Sequence, residues 1–493
     1  PAVTVRNVGS NGGQAAAFTY DLARSVVYTR QGNPAWATEE RDGSAPIRSD
    51  DKFYGDAATD PQPDWVDLAK VAIPQADEQQ RLLANLILYM NLDKKPLPRF
   101  WYFPNGKKAV VIMTGDDHGN GGTAGRFDQY LAASPSGCTV ANWECVRATS
   151  YIYVELPYLS DTEAKSYTDQ GFEVGLHLNT NCADYDATSL NAFYSDQVSG
   201  FTSAYLSIPA PITQRHHCIA WSDWITGAKT QFNYGMRLDT SYYFWPPGWV
   251  QDRPGVFTGS AMPMRFADLD GTIIDVYNTT TQMTDESGQT YPNTSDVLLS
   301  AALGPQGYYG AYTVNAHTDL ASNPVSDAVV ASALGRGVPI VSSRQMMDWL
   351  DFRNSSSFQG LGWSGNSLSF NVAPGIATQD IPAAGLQVLL PVNSTAGLLA
   401  DITRDGASIP YANETVKGVA YAAFPGAAGA YVATYGVDTT PPTMTATSPA
   451  NGATGVFAGT TVTATFSEAV DAATVSSATV TLPYDGQITL NGE

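Results

Sequence analysis

The chain has 493 residues, 43% of them hydrophobic and only 15% charged, and 47 acidic against 26 basic side chains leave a formal net charge of −21. That length suggests about three domains, each able to bury a core. The acidic balance excludes nucleic acid as a partner, because phosphate binding draws on clustered Lys and Arg, and no run approaches the roughly 20 apolar residues of a membrane span. Low charge with 26 Tyr and 10 Trp reads as an extracellular surface, secreted or displayed on a cell, with aromatic faces suited to sugar rings. The start at Pro1, without a charged n-region and apolar h-region, reads as a mature or a trimmed form.

In chain order, 1–98 reads as a partial α/β accessory domain. An apolar strand is predicted at 14–22, a helix at 23–30 closed by Gly32-Asn33-Pro34, and a helix at 78–89 from the spacing of Leu82, Leu83, Leu86, Ile87 and Tyr89. Strand, helix and long loop resemble the C-terminal part of a class I glutamine-amidotransferase-like domain, which makes this segment structural or sugar-binding. From 99 to 352 continuous apolar runs at 109–113, 151–156, 172–178, 272–277, 312–316 and 338–341 read as strands buried on both faces. Helical segments at 161–170, 189–203, 326–336 and 344–352 alternate with them. The fold class is therefore α/β, a distorted parallel (β/α) barrel or an open sheet. Residues 353–437 turn to short alternating runs at 367–372, 386–390, 418–424 and 430–435, a small all-β domain. After the linker Asp438-Thr-Thr-Pro-Pro442, residues 438–493 carry Ser448-Pro-Ala-Asn-Gly452 and Phe466-Ser-Glu-Ala-Val470, which resemble a bacterial Ig-like module, short enough to be truncated. No Lys or Arg follows Lys417.

All five His and all four Cys lie between positions 118 and 317, which makes that stretch the place to look for catalysis. Directly after the first barrel strand stands Thr114-Gly-Asp-Asp-His-Gly119. Two adjacent carboxylates at the end of a buried strand are costly unless paired or bound to a cation, and in parallel barrels that end builds active sites. Neighbouring side chains on a strand point apart, so one can ligate a metal while the other faces a water. Four further pieces follow: Glu173-Val-Gly-Leu-His177-Leu-Asn-Thr-Asn181, Gln214-Arg215-His216-His217-Cys218, Gly235-Met-Arg-Leu-Asp239 leading to Trp245 and Trp249, and Tyr312-Thr-Val-Asn-Ala-His317-Thr-Asp319.

Together and in this order the pieces resemble the polysaccharide deacetylases with the NodB homology domain, carbohydrate esterase family four, over about half the chain. The resemblance implies a hydrolase that removes N-acetyl groups from amino sugars in a polymer. It also implies one divalent metal, zinc foremost, held by Asp117, His177 and Asn181. Asp116 would be the general base and Arg215 would hold it charged. His317 would protonate the leaving amine, and Asp239 would fix its tautomer. Trp221, Tyr243 and Trp245 would line the substrate groove. The sequence departs from the family's pattern at Gly115, His118, Asn181 and His217. An amide oxygen ligates zinc more weakly than imidazole, so His216, His217 and His118 stand as alternatives for the third ligand.

Cys138 and Cys145 bracket a short loop and read as a local bridge, and Cys182 with Cys218 would tie the loops after the second and third pieces. The absence of a C-x₂-C pair weighs against a zinc site from these cysteines. Two other functions are open at this point: a non-catalytic carbohydrate-binding or adhesin-like protein that retains the barrel, and an amidohydrolase on a small non-sugar amide.

Overall fold

The computed structural model describes residues 1–9, 13–55, 66–67, 69–92, 94–155, 159–243, 246–376, 385–436, 443–457 and 459–466. Its centre is a curled sheet of ten strands. Parallel neighbours run from Thr281–Thr284 through Gly310–Asn315, Ala109–Asp117, Thr149–Ile152, Glu173–Leu178, Thr213–His216 and Leu238–Asp239 to Ile273–Asn278, where Met264–Ala267 adds an antiparallel edge. The short strand Ile340–Val341 also pairs with Ala109–Asp117. The curl nearly closes. A single parallel bridge joins Tyr243 to Thr281, and the Thr281 amide donates to the Tyr242 carbonyl.

The expected runs become strands because they are apolar and covered on both faces. Ala109–Asp117 is buried at all nine positions, and Val111 and Met113 share one core with Leu176, Val314 and the helix residues Phe127 and Val329. Helices Asp161–Asp169, Ala187–Ala204, Pro324–Leu334 and Ser343–Ser355 lie where the spacing placed them. Strands Thr213–His216, Leu238–Asp239 and Thr281–Thr284 were not legible, since apart from Leu238 and Met283 their residues are polar. They are stabilised by bonds that converge inside the barrel rather than by an apolar pattern.

The accessory segment differs from its expectation. Residues Gly13–Phe18 pair antiparallel with Val3–Val8 as a hairpin, and no parallel strand precedes the barrel among the described residues. The helices Leu22–Gln31 and Gln75–Tyr89 do form, but they dock onto the barrel instead of flanking a sheet of their own. Gln31 exchanges two bonds with the Ala267 backbone, 2.8 and 3.1 Å, and Asp77 accepts from the Ala261 and Met262 amides at 2.7 and 3.1 Å. Gly32 ends the first helix at φ 93°, and a Cβ there would meet Lys52 at 2.5 Å. Ala37, Phe53 and Val71 share a core with Trp221, Tyr242, Phe266 and Val276, so segment and barrel exclude water together.

Strands between Ser357 and Gly436 form two antiparallel sheets around Leu368, Phe370, Val388, Leu390, Phe424 and Tyr435. One of these sheets takes in Arg99–Phe100, paired with Gln387–Pro391, so the chain crosses the β-sandwich before it enters the barrel. Pro1–Tyr435 is one unit and Gly436–Glu493 a second. In the second, Met444–Ser448 pairs antiparallel with Thr463–Phe466, while the 438–442 linker and most of 466–470 lie outside the described residues.

Candidate active site

The site forms at the C-terminal ends of the parallel strands, around a cavity of about 160 Å³. Thr114-Gly-Asp-Asp117 ends the central strand. Gly115 is required by close approach: a Cβ would come within 2.2 Å of the Ala316 carbonyl, so the neighbouring strand leaves no room for a side chain. Asp116 points into the cavity. Its Oδ2 accepts from Arg215 Nε at 3.0 Å and Asn315 Nδ2 at 2.9 Å, while Oδ1 is buried without a hydrogen-bond partner. Burial would push this carboxyl up, but the neighbouring His177, Arg215, His317 and His118 outweigh it and hold it well below the usual range. Arg215 is itself buried and donates to the Thr240 carbonyl and Thr281 hydroxyl, at 2.6 and 3.0 Å.

Asp117 points the other way, as alternation demands. Its Oδ1 accepts from the amides of Gly119, Asn120 and Gly121 at 3.0, 2.9 and 3.2 Å, and its Oδ2 from the Thr123 hydroxyl at 2.7 Å. The carboxylate caps the turn into helix Thr123–Ala133, which corrects the expectation that it ligates a metal. Asn181 is corrected as well. It is exposed in a left-handed turn at φ 60°, its amide donating to Asn179 Oδ1, and it does not line the cavity.

Three imidazoles meet instead. The ligating atoms of His118, His177 and His217 all lie within 4.8 Å of one another. His177 donates Nδ1–H to the Arg215 carbonyl at 3.1 Å, leaving a buried Nε2 with no hydrogen-bond partner. His118 turns Nδ1 to Asp319, 3.0 Å from Oδ2, the carboxylate–imidazole pairing that orients metal ligands. Tyr153 packs at 5.1–5.2 Å from all three rings. Burial pulls His177 down to about 3 and, with the repulsion of His118, His217 to about 4. Both are therefore neutral at physiological pH with lone pairs available. An orphaned buried imidazole nitrogen beside two others fits a borderline divalent ion such as zinc. His216 is not part of this set, because its two nitrogens are occupied by Tyr194 Oη and the Ala220 carbonyl, each at 2.9 Å.

His317 stacks on His118 with ring centroids 5.4 Å apart. Its partner is Asp285, which faces Nδ1 at 2.8 Å and accepts the His317 amide at 2.9 Å. Burial opposes the charged ring, yet Asp285, Asp116 and Glu286 raise it to about 9. Asp239, expected in that role, is fully buried and accepts from Gln214, Gln231 and the Ser241 amide and hydroxyl at 2.6–2.9 Å. It organises the strand end beneath Arg215. Glu286 Oε1 lies 3.5 Å from His317 Nε2 on the cavity wall. Sequence reasoning missed Asp285 and Glu286. They form a second acidic pair at the end of a strand, Thr281–Thr284, and the rule that singled out Asp116-Asp117 applies to them once that strand is recognised.

The aromatic expectations also change. Trp221 is buried, stacked 5.1 Å from Phe266 and edge-on to Tyr242, so it is core and not a sugar platform. Tyr243 is buried with the Arg215 guanidinium 5.9 Å from its ring centroid, and Trp245 lies outside the described residues. Both expected disulfides, Cys138–Cys145 and Cys182–Cys218, are present. The second one bears on a loop where Cys218 and Ile219 adopt φ 55° and 49°. Such a conformation costs a residue about 1–3 kcal/mol and is unusual for a β-branched one.

Residues 438–492 match the bacterial Ig-like domain family. Among solved structures the chain is similar to a Mycobacterium smegmatis protein described as a polysaccharide deacetylase, at 13% identity and TM-score 0.36 over 52% of this chain and 94% of that one. It is also similar to a family four carbohydrate esterase from Streptomyces lividans (12%, TM-score 0.28, 47% and 91%) and to a family four pseudoenzyme from Bacillus anthracis (13%, TM-score 0.29, 50% and 68%). No curated protein matches the chain. Fold and match together define a mixed α/β chain with a C-terminal Ig-like domain.

Proposed function

We propose that the protein is a metal-dependent hydrolase that removes N-acetyl groups from amino sugars in a polysaccharide. One observation carries the reading: a three-imidazole cluster, a carboxylate held ionised by Arg215 and a carboxylate-paired imidazole face one cavity. The amino-sugar substrate rests on the resemblance of the five motifs. Two disulfides and the Ig-like match fit an extracellular protein. No helix among the described residues is long and apolar enough to cross a membrane.

His118, His177 and His217 would hold the ion, zinc foremost, which when bound supplies Lewis acidity and a more acidic water. Asp116 takes the proton of the attacking water at Oδ1, the oxygen free of hydrogen bonds, while Arg215 and Asn315 fix Oδ2. His317 delivers its Nε2 proton to the leaving nitrogen, since an amine anion is too basic to depart alone. Asp285 holds the other ring nitrogen and keeps the imidazolium charged. The acetamido group would enter the cavity, and a sugar chain would lie across its mouth. The same small volume favours a second reading, an amidohydrolase on a small non-sugar amide.

Acetate release from acetylated chitin-like, galactosamine and peptidoglycan substrates and from simple acetamides, with and without chelator, tests both readings. Chelator-sensitive release from a glycan that Asp116→Ala abolishes is expected. Release from simple acetamides alone establishes the second reading, and glycan binding without release overturns both.

A further inference from the structure

The cavity wall includes one residue from far outside the motifs: Arg48. Its Nε donates to the Cys218 carbonyl at 2.8 Å, one residue after His217. Arg48 also forms an isolated antiparallel bridge with Ala220, and the Trp221 amide donates to the Ile47 carbonyl at 2.8 Å. On one side Asp184 accepts the Ile47 amide at 2.8 Å. On the other, Ser49 exchanges two 2.9 Å bonds with the Tyr243 backbone. Residues 47–49 thus lie as a strap over the loop 217–220. That loop carries two successive non-glycine residues at positive φ, one of them the β-branched Ile219, so its conformation persists only where its surroundings impose it.

We propose that Arg48 is a positioning residue of the metal site. It acts through the Cys218 carbonyl to hold the strained loop that presents His217, so the segment 1–98 completes the site rather than serving as an appendage. This inference rests on His118, His177 and His217 as the ligand set. The Cys182–Cys218 disulfide pins the same loop covalently. The Arg48 side chain accordingly adds an anchor beside the disulfide and the backbone contacts of the strap, and its loss loosens the flank next to His217 without unfolding the barrel.

Two measurements on the full chain test it. Cobalt(II) titration with its visible absorption bands reports the ligand set without reference to activity. Arg48→Ala is expected to bind cobalt roughly ten- to hundredfold more weakly, the usual cost of an outer partner of a ligand, with altered bands, and Arg48→Lys is expected to fall between. Amide hydrogen exchange in 218–221 requires no metal, and Arg48→Ala is expected to accelerate it. Wild-type cobalt affinity and bands, or unchanged exchange, in Arg48→Ala overturn the proposal. If the wild type takes up no cobalt while Arg48→Ala exchanges faster, the metal reading fails and the strap stands. Should Arg48→Ala not fold, Arg48→Lys, which keeps the charge without the guanidinium fork, decides by the same two readouts.

Discussion

At the residue scale, the decisive difference lies between neighbours with identical side chains. Asp116 and Asp117 differ only in the face of the strand they occupy, one held by Arg215 in the cavity and the other capping a turn. Asp116→Ala is expected to lower acetate release by about 10²–10⁴, the usual share of a general base, with metal content unchanged. His217→Ala is expected to weaken zinc binding well beyond the ten- to hundredfold cost of an outer partner, whereas Asn181→Ala leaves it unchanged; competition titration against a chelator reads both. Asp285→Asn should lower turnover about ten- to hundredfold with little change in thermal midpoint. Asp239→Asn should do the reverse, losing about 1–3 kcal/mol of stability through a disturbed buried network. Motif order identified Asp116, His177, Arg215 and His317 as residues that share the cavity. It left His217 as one of three alternatives and could not identify Asp285, because partner choice depends on which side chains the curled sheet turns inward.

At the scale of the element, the short helical turn Asp50–Lys52 is buried at all three positions. Burial pulls the Lys52 ammonium down to about 7 against the opposing Asp51, Asp223 and Asp50, and its Nζ has no hydrogen-bond partner. The unfolded chain keeps that proton up to about 10.5, so between pH 7 and 10.5 the unfolded state binds more protons and stability rises with pH. Below pH 7 the penalty is fully present, on the order of 5 kcal/mol for a completely buried group. Lys52→Met is therefore expected to raise the thermal midpoint at pH 7 and to flatten the rise toward pH 10. A scan of midpoint against pH for both proteins checks it, and a parallel pair of curves would contradict it. Periodicity located the apolar strands and the long helices. It missed Thr213–His216 and Thr281–Thr284, whose polar side chains face partners that no local pattern shows.

At the scale of the molecule, residues 1–435 act together. The accessory helices share a core with the barrel, and Arg99–Phe100 closes an edge of the sandwich. A chain ending at Tyr435 is therefore expected to keep its thermal transition and its activity on soluble substrate, while one starting at Leu97 is expected not to fold. Circular dichroism melts and acetate release check both. The sequence by itself determined the α/β class, the acidic surface, the confinement of His and Cys to one stretch and the spacing of both disulfides. These follow from composition and local periodicity, which each segment carries within itself. Only the tertiary structure decided that His118 and His217 join His177, that Asp285 partners His317, that Trp221 is core, and that Arg48 reaches the cavity. Each of those facts depends on the distance between residues far apart in the chain, which is set by how the sheet curls.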